Sequence, residues 1–424
     1  MLGLLVLAAA LAAVVLPGAP IMMASAAEQT SAPALASIVR DSVGALHINT
    51  SNPLHEPVFI NGVDVGQLFA TVSAQQDVIQ SQQQMLGHLS AALSTTQSTL
   101  CRMSMPTVAT LATAPGTTSR WSGGVLANNG LIYGIPSSET AILILDPSTN
   151  TMDTTTMTNL PSTDFKWQGG VLANNGLIYG IPFFAGSVLI IDPATNTADV
   201  TTIAGLRDDT PKWARGVLAD DGRIFGIPYI SSSVLIIDPS TNTTNTTSMV
   251  AAVSGKWFGG VAAPNGLIYA PPYDADAVLV IDPINNTTAV ISMADRDSSS
   301  ALKWMGGVLA PNGLIYCTPF GAPEVLIIDP ATHTLDLTTI TGLGTMTSKW
   351  GGAVLGRDNR IYAVPLSATS VLIIDPATNT TDTTTLDTGA SGIGLWTDAV
   401  RAPNGDIYGM PSNSASLLVI RPDC

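Results

Sequence analysis

Lysine is nearly missing from this chain. Its 424 residues include five lysines, four histidines and three cysteines, and charged residues make up only 11% of the total. Aromatic residues are also sparse, at 5%. Each shortage excludes something. So few His and Cys, scattered along the chain, supply no ligand set at zinc or copper spacing, and no cofactor is expected. Sixteen basic against 31 acidic side chains give a net charge of -15. That balance cannot neutralise a phosphate backbone, so nucleic acid is not an expected partner. Beyond the first residues no apolar run reaches the ~20 residues that a membrane span needs. No serine of the repeated region described below sits in a Gly-x-Ser-x-Gly elbow. The scarcity of charge does not signal disorder, because 46% of the residues are hydrophobic.

The hydrophobic residues are unevenly placed. Residues 2–16 are all Leu, Val, Ala or Gly, followed by Pro17, Pro20 and the small-residue run Ala24-Ser25-Ala26. This order predicts a secretory signal peptide over residues 1–26 and a secreted or cell-surface protein. An uncleaved anchor is the alternative, but the prolines interrupt the stretch early. Asn-x-Ser/Thr acceptors at Asn49, Asn242, Asn245, Asn285, Asn286 and Asn379 agree with export. Residues 27–63 read as a linker with a short strand at 58–60. Asp64 with Gln67 three residues on is a variant capping box, which predicts a helix over 64–100. Val65, Val72, Ile79, Leu86, Leu93 and Leu100 recur every seven residues, with Leu68, Gln75, Gln82, Leu89 and Thr96 between them. That period predicts a coiled-coil stalk able to join copies of the chain. A single amphipathic helix lying on the main domain is the alternative.

The seven tryptophans stand at 121, 167, 213, 257, 304, 350 and 396, spaced by 44–47 residues. Each marks one copy of an internal repeat of propeller-blade size. Copy two predicts four strands: a over 167–173, b over 177–181, c over 187–191 and d near 198–203. Asn175-Gly176 supplies the a–b hairpin and the turn beginning Asp192-Pro193 joins c to d. Strand c is apolar on both faces, as between two packed sheets. Strand d is rich in Thr, as at an outer edge. The seventh copy stops at Cys424 with no fourth strand. Residues 106–113 have strand-d composition and lie upstream of the first copy, so they are expected to close the ring. The fold class is therefore all-β, a seven-bladed propeller of four-stranded blades over 101–424. In that geometry Cys101 and Cys424 come to the same end of the closing pair, which predicts a disulfide, with free or intermolecular thiols as the alternative. Cys317 is expected to be a buried free thiol.

The order Gly-Gly-Val-Leu-Ala, Asn-Gly, Leu-Ile-Tyr, Val-Leu-Ile-Ile-Asp-Pro-Ala-Thr-Asn-Thr resembles YVTN-type and NHL-like seven-bladed propellers, and is similar to kelch repeats in its turn. The resemblance covers residues ~106–424. It implies architecture and leaves activity open, since such propellers serve as binders, scaffolds and enzymes.

The residues preceding each Trp are Arg120, Lys166, Lys212, Lys256, Lys303, Lys349 and Leu395. All five lysines are in that set. One reading is an electropositive entrance for an acidic glycan, another anion or a protein. Phe183, Phe184, Tyr229, Tyr273 and Phe320 on the b–c loops would add stacking surface. The other reading is that each cation bonds an acid or carbonyl of a neighbouring d–a loop, where Asp164, Asp208, Asp209, Asp295 and Asp297 lie. The tryptophans are expected to pack between blades, and the Asp-Pro acids to form turns on the opposite face. Asp274, Asp276 and Glu324 are weak calcium candidates. The resulting expectation is an exported binding or scaffold module. The alternatives are a metal-assisted hydrolase or lactonase using the channel, and a structural coat protein.

Overall fold

A computed structural model describes residues 37–40, 46–49, 59–60, 63–102, 105–112, 119–251, 256–293 and 302–422. The expected signal peptide and Cys424 lie outside the described residues, as does the side chain of Cys101. The chain divides into two units, residues 1–90 and 91–424.

In the first unit β1 (Ser37–Arg40) pairs with β2 (Leu46–Asn49), and β3 (Phe59–Ile60) with β4 (Val63–Asp64), both antiparallel. Helix α1 follows over Val65–Arg102. It starts where Asp64 caps it: Gln67 N donates to Asp64 Oδ1 at 3.1 Å. The apolar heptad residues of α1 are open to water, with Val72 40%, Ile79 54%, Leu86 65% and Leu93 67% exposed.

The second unit is a ring of seven antiparallel four-stranded sheets. Blade 2 runs a (Trp167–Leu172), b (Ile178–Pro182), c (Leu189–Asp192) and d (Thr197–Asp199). Six blades are continuous in sequence. The seventh combines Trp396–Arg401, Ile407–Pro411 and Ser416–Arg421 with the upstream strand Thr107–Ala112. That strand pairs antiparallel along its whole length, from Arg421↔Thr107 to Ser416↔Ala112. Most outer strands are shorter than the sequence suggests. Asp199 ends strand d of blade 2 by accepting from Thr201 N at 2.6 Å and Thr202 N at 3.2 Å, turning the backbone out of the ladder. In blade 4, where Ala289 and Val290 replace this acid-led turn, strand d extends over Thr287–Ser292.

The hydrophobic cores lie between blades. The cluster around Trp167, for example, joins Tyr133, Ile135, Ile142 and Ile144 of blade 1 to Ile178, Leu189 and Ile191 of blade 2. Every Trp is buried, and each indole Nε1 donates to the carbonyl 20 residues on, as from Trp167 to Ser187 at 2.8 Å. The tryptophans therefore pack between blades with their polar atom satisfied. A second set of bolts runs along the far face. The Tyr133 hydroxyl donates to Asn196 Oδ1 at 2.8 Å, Tyr179 to Asn242 at 2.7 Å, Tyr316 to Asn379 at 2.6 Å, and Tyr408 to Asn150 at 2.7 Å across the ring closure. Blade 3 has Phe225 in this position, and Arg223 Nη1 reaches Asn286 at 2.9 Å instead. His333 takes the Asn role for Tyr269 at 3.1 Å. Cys317 is buried and unpaired, and burial pushes its thiol pKa up.

Candidate functional site

The b–c and d–a loops gather on one face, called here the upper face. The cations that precede the tryptophans are built into its framework. Lys166 is 1% exposed, and its Nζ donates to the carbonyls of Ser137, Glu139 and Thr163 at 2.9–3.0 Å. Ser137 and Glu139 belong to the b–c loop of the preceding blade. Lys212 Nζ reaches the Phe183 and Ala185 carbonyls in the same way, and Lys349 Nζ those of Ala322 and Met346. Lys303 bonds the Asp274 carbonyl at 3.3 Å. Arg120 reaches the carbonyls of Ser412 and Ser414 across the ring closure. These five are buried clips between blades: their acceptors are carbonyls, as the second sequence reading has it, but most lie on b–c loops, with only Thr163 and Met346 on the d–a loops. Burial holds the Lys166, Lys212 and Lys349 ammonium groups down to about 8, with nearby acids pulling Lys166 and Lys212 back up.

Lys256 differs. Its side chain is 38% exposed, its Nζ lies 2.8 Å from Asp274 Oδ2, and it stands over the Tyr229 ring at 5.5 Å. The hydrogen bond to Asp274 raises its pKa. Leu395, at the same place in blade 7, is buried.

The residue after each strand-b proline faces the same side. Around the ring these residues are Ser137, Phe183, Tyr229, Tyr273, Phe320, Leu366 and Ser412. Four consecutive blades carry an aromatic, one carries Leu, and the two at the ring closure carry Ser. The rings touch in series: Phe183–Tyr229 at 5.2 Å between centroids, Tyr229–Tyr273 at 5.9 Å and Tyr273–Phe320 at 5.4 Å. Phe184 extends the arc from Phe183, and Phe258 adds an inner member 5.7 Å from Tyr273. Ala214, Met305 and Leu366 complete the cluster. The upper face thus has an apolar crescent over blades 2–6 and a hydroxyl-bearing sector at blades 7 and 1. A repeat copied without change cannot generate that division.

The channel carries a second break in symmetry. The second residue after each Trp lines it, and five blades have glycine there. Blade 3 has Arg215 and blade 7 has Asp398. They meet across the channel, with Arg215 Nη2 3.3 Å from Asp398 Oδ1 and 3.0 Å from the Thr397 carbonyl. Five glycines make room for the pair: a Cβ on Gly352 would overlap Asp398 Oδ1. The Arg215 guanidinium also packs over Phe258 at 5.5 Å, joining channel to crescent. Burial raises the Asp398 pKa, and Arg215 opposes the rise. Sequence reasoning missed this pair. Its signal was two charges of opposite sign in a column of glycines.

The remaining sequence candidates are dispersed. Asp274 is engaged by Lys256 and Leu302 N, while Asp276 lies 3.8 Å from Lys303. Among the described residues no three His, Cys, Asp or Glu side chains are grouped as metal ligands need. No helix among them is long and apolar enough to cross a membrane.

No family model matches the chain, and no curated protein does. Its fold is similar to that of solved structures. A streptogramin B lyase aligns at TM-score 0.61 and 11% identity, over 75% of this chain and 98% of that one. A catalytically inactive virginiamycin B lyase from Staphylococcus aureus, solved with quinupristin, aligns at 0.58 and 10%, over 74% and 99%. The extracellular domain of a putative one component system from B. thetaiotaomicron aligns at 0.54 and 12%, over 73% of this chain and 42% of that one. At such identities the likeness is one of fold.

Proposed function

We propose that this protein is an exported binding module whose ligand is a glycan seated on the apolar crescent of the upper face. The crescent carries the reading: Phe184, Tyr229 and Tyr273 are partly exposed, backed by the buried rings of Phe183, Phe258 and Phe320, and offer flat surfaces on which a sugar ring can stack. An acidic ligand drew its support from a ring of free cations. Five of those six cations spend their donors on carbonyls, and Lys256 is shared with Asp274. The ligand is therefore held by ring stacking and hydrogen bonds, and charge contributes little. Extracellular domains and lyases both occur among the proteins of similar fold, so export and small-ligand binding suit the scaffold. Exposed apolar heptad residues on α1 support association of copies through that helix, which would present several faces together.

A glycan array followed by titration tests the reading. Saccharide binding is expected to persist between low and high salt and to weaken about tenfold or more in Tyr229→Ala, the loss of one stacking ring. Binding that collapses in salt restores the anionic reading. Absence of saccharide binding, together with lateral assembly of the protein, favours the coat-protein alternative. Ester or lactone turnover favours the hydrolase alternative.

A further inference from the structure

The channel pair has bonding capacity that the protein leaves unused. Arg215 spends Nη2 on Asp398 and Thr397, and Asp398 Oδ1 also accepts from Ala399 N at 3.0 Å. Among the described residues, Arg215 Nε and Nη1 and Asp398 Oδ2 have no hydrogen-bonding partner. Both side chains stay accessible, at 15% and 18%. They line a cavity of about 160 Å³ whose other walls are glycines such as Gly169, Gly259 and Gly306. That is room for about five waters at ~30 Å³ each. Arg215 also holds a backbone φ of 63°, where side chains are disfavoured. The fold does not require that strain, because glycine serves at this position in five other blades. A strained, charged residue facing a side-chain-free cavity points to a bound group.

We propose that the channel binds the terminal sugar of a neutral glycan, with one hydroxyl oxygen accepting from Arg215 and an adjacent hydroxyl donating to Asp398. The pair fixes the class of ligand. Its charges balance, so an anion would face the Asp398 carboxylate and a cation the Arg215 guanidinium, each at a cost. A neighbouring pair of hydroxyls supplies both an acceptor and a donor without charge. The contact of Arg215 with Phe258 brings the channel pair next to the crescent. This inference rests on the glycan reading of the upper face and is tested apart from it.

The experiment is calorimetric titration of the full protein with the neutral saccharide that binds most strongly on an array. It compares the wild type with the double variant Arg215→Gly/Asp398→Gly and with Tyr229→Ala. Glycine at both positions restores what five blades already carry, so the ring is expected to fold; a lone Asp398 would instead be a part-buried charge without its partner. The expected result is a loss of tenfold or more in affinity in the double variant with an unchanged unfolding temperature. Full affinity in the double variant, with loss in Tyr229→Ala, overturns the channel site and leaves the upper-face reading standing. Failure of the wild type to bind any neutral saccharide overturns both.

Discussion

At the scale of single residues, position and environment separate side chains that look equivalent in the sequence. Lys166 and Lys256 occupy the same place in the repeat. One is enclosed by three carbonyls and the other faces water beside Asp274. Lys166→Met leaves those carbonyls without their donor and is expected to destabilise the protein by about 1–3 kcal/mol. Lys256→Met, on the surface, is expected to change stability by no more than about 0.5 kcal/mol. Urea unfolding of both variants checks the contrast, and equal losses would contradict it. The column of cations was legible in the sequence. Its burial was not, because the acceptors are backbone carbonyls contributed by the neighbouring blade's b–c loop. Arg215 and Asp398 were legible only as departures from glycine, and their meeting depends on which blades stand opposite one another across the channel.

At the scale of the strand, the repeat's turns explain both what was readable and what was not. Asn-Gly turns, the apolar strand c and the Trp spacing located the blades. The absent fourth strand of copy seven pointed to residues 106–113, of which Thr107–Ala112 form the strand. The shortness of strand d was not legible, because in the sequence Asp199 is one more polar edge residue, whereas in the fold its carboxylate accepts from the amides of Thr201 and Thr202. Hydrogen bonds from Thr156 and Thr202 hold Asp153 and Asp199 down to about 2. Their stabilising effect is complete above the ordinary carboxylate range and is lost as pH falls from about 4 through 2. Asn245 makes the same turn in blade 3 without titrating, accepting from Thr247 N at 2.9 Å. Asp153→Asn/Asp199→Asn is therefore expected to flatten the fall in unfolding temperature between pH 4 and pH 2. An unchanged acid slope would show that these caps do not contribute to it.

For the whole molecule, the sevenfold repeat supplies a rigid ring, and the departures from it mark one side of one face and one level of the channel. Helix α1 leaves a heptad row of apolar residues in water, a face that a second copy can cover. Light scattering is expected to give a mass that is a multiple of the single chain, falling to one chain in Leu86→Ser/Leu93→Ser. A monomeric wild type would contradict self-association through the helix. Binding itself is best located by hydrogen exchange of the full protein with and without the saccharide selected on the array. Protection is expected in the b–c loops of blades 2–5, at residues 183–186, 229–232, 273–276 and 320–323, and not at 137–140. Protection spread evenly around the ring, or confined to the Thr-rich outer strands, would contradict a ligand seated on the crescent.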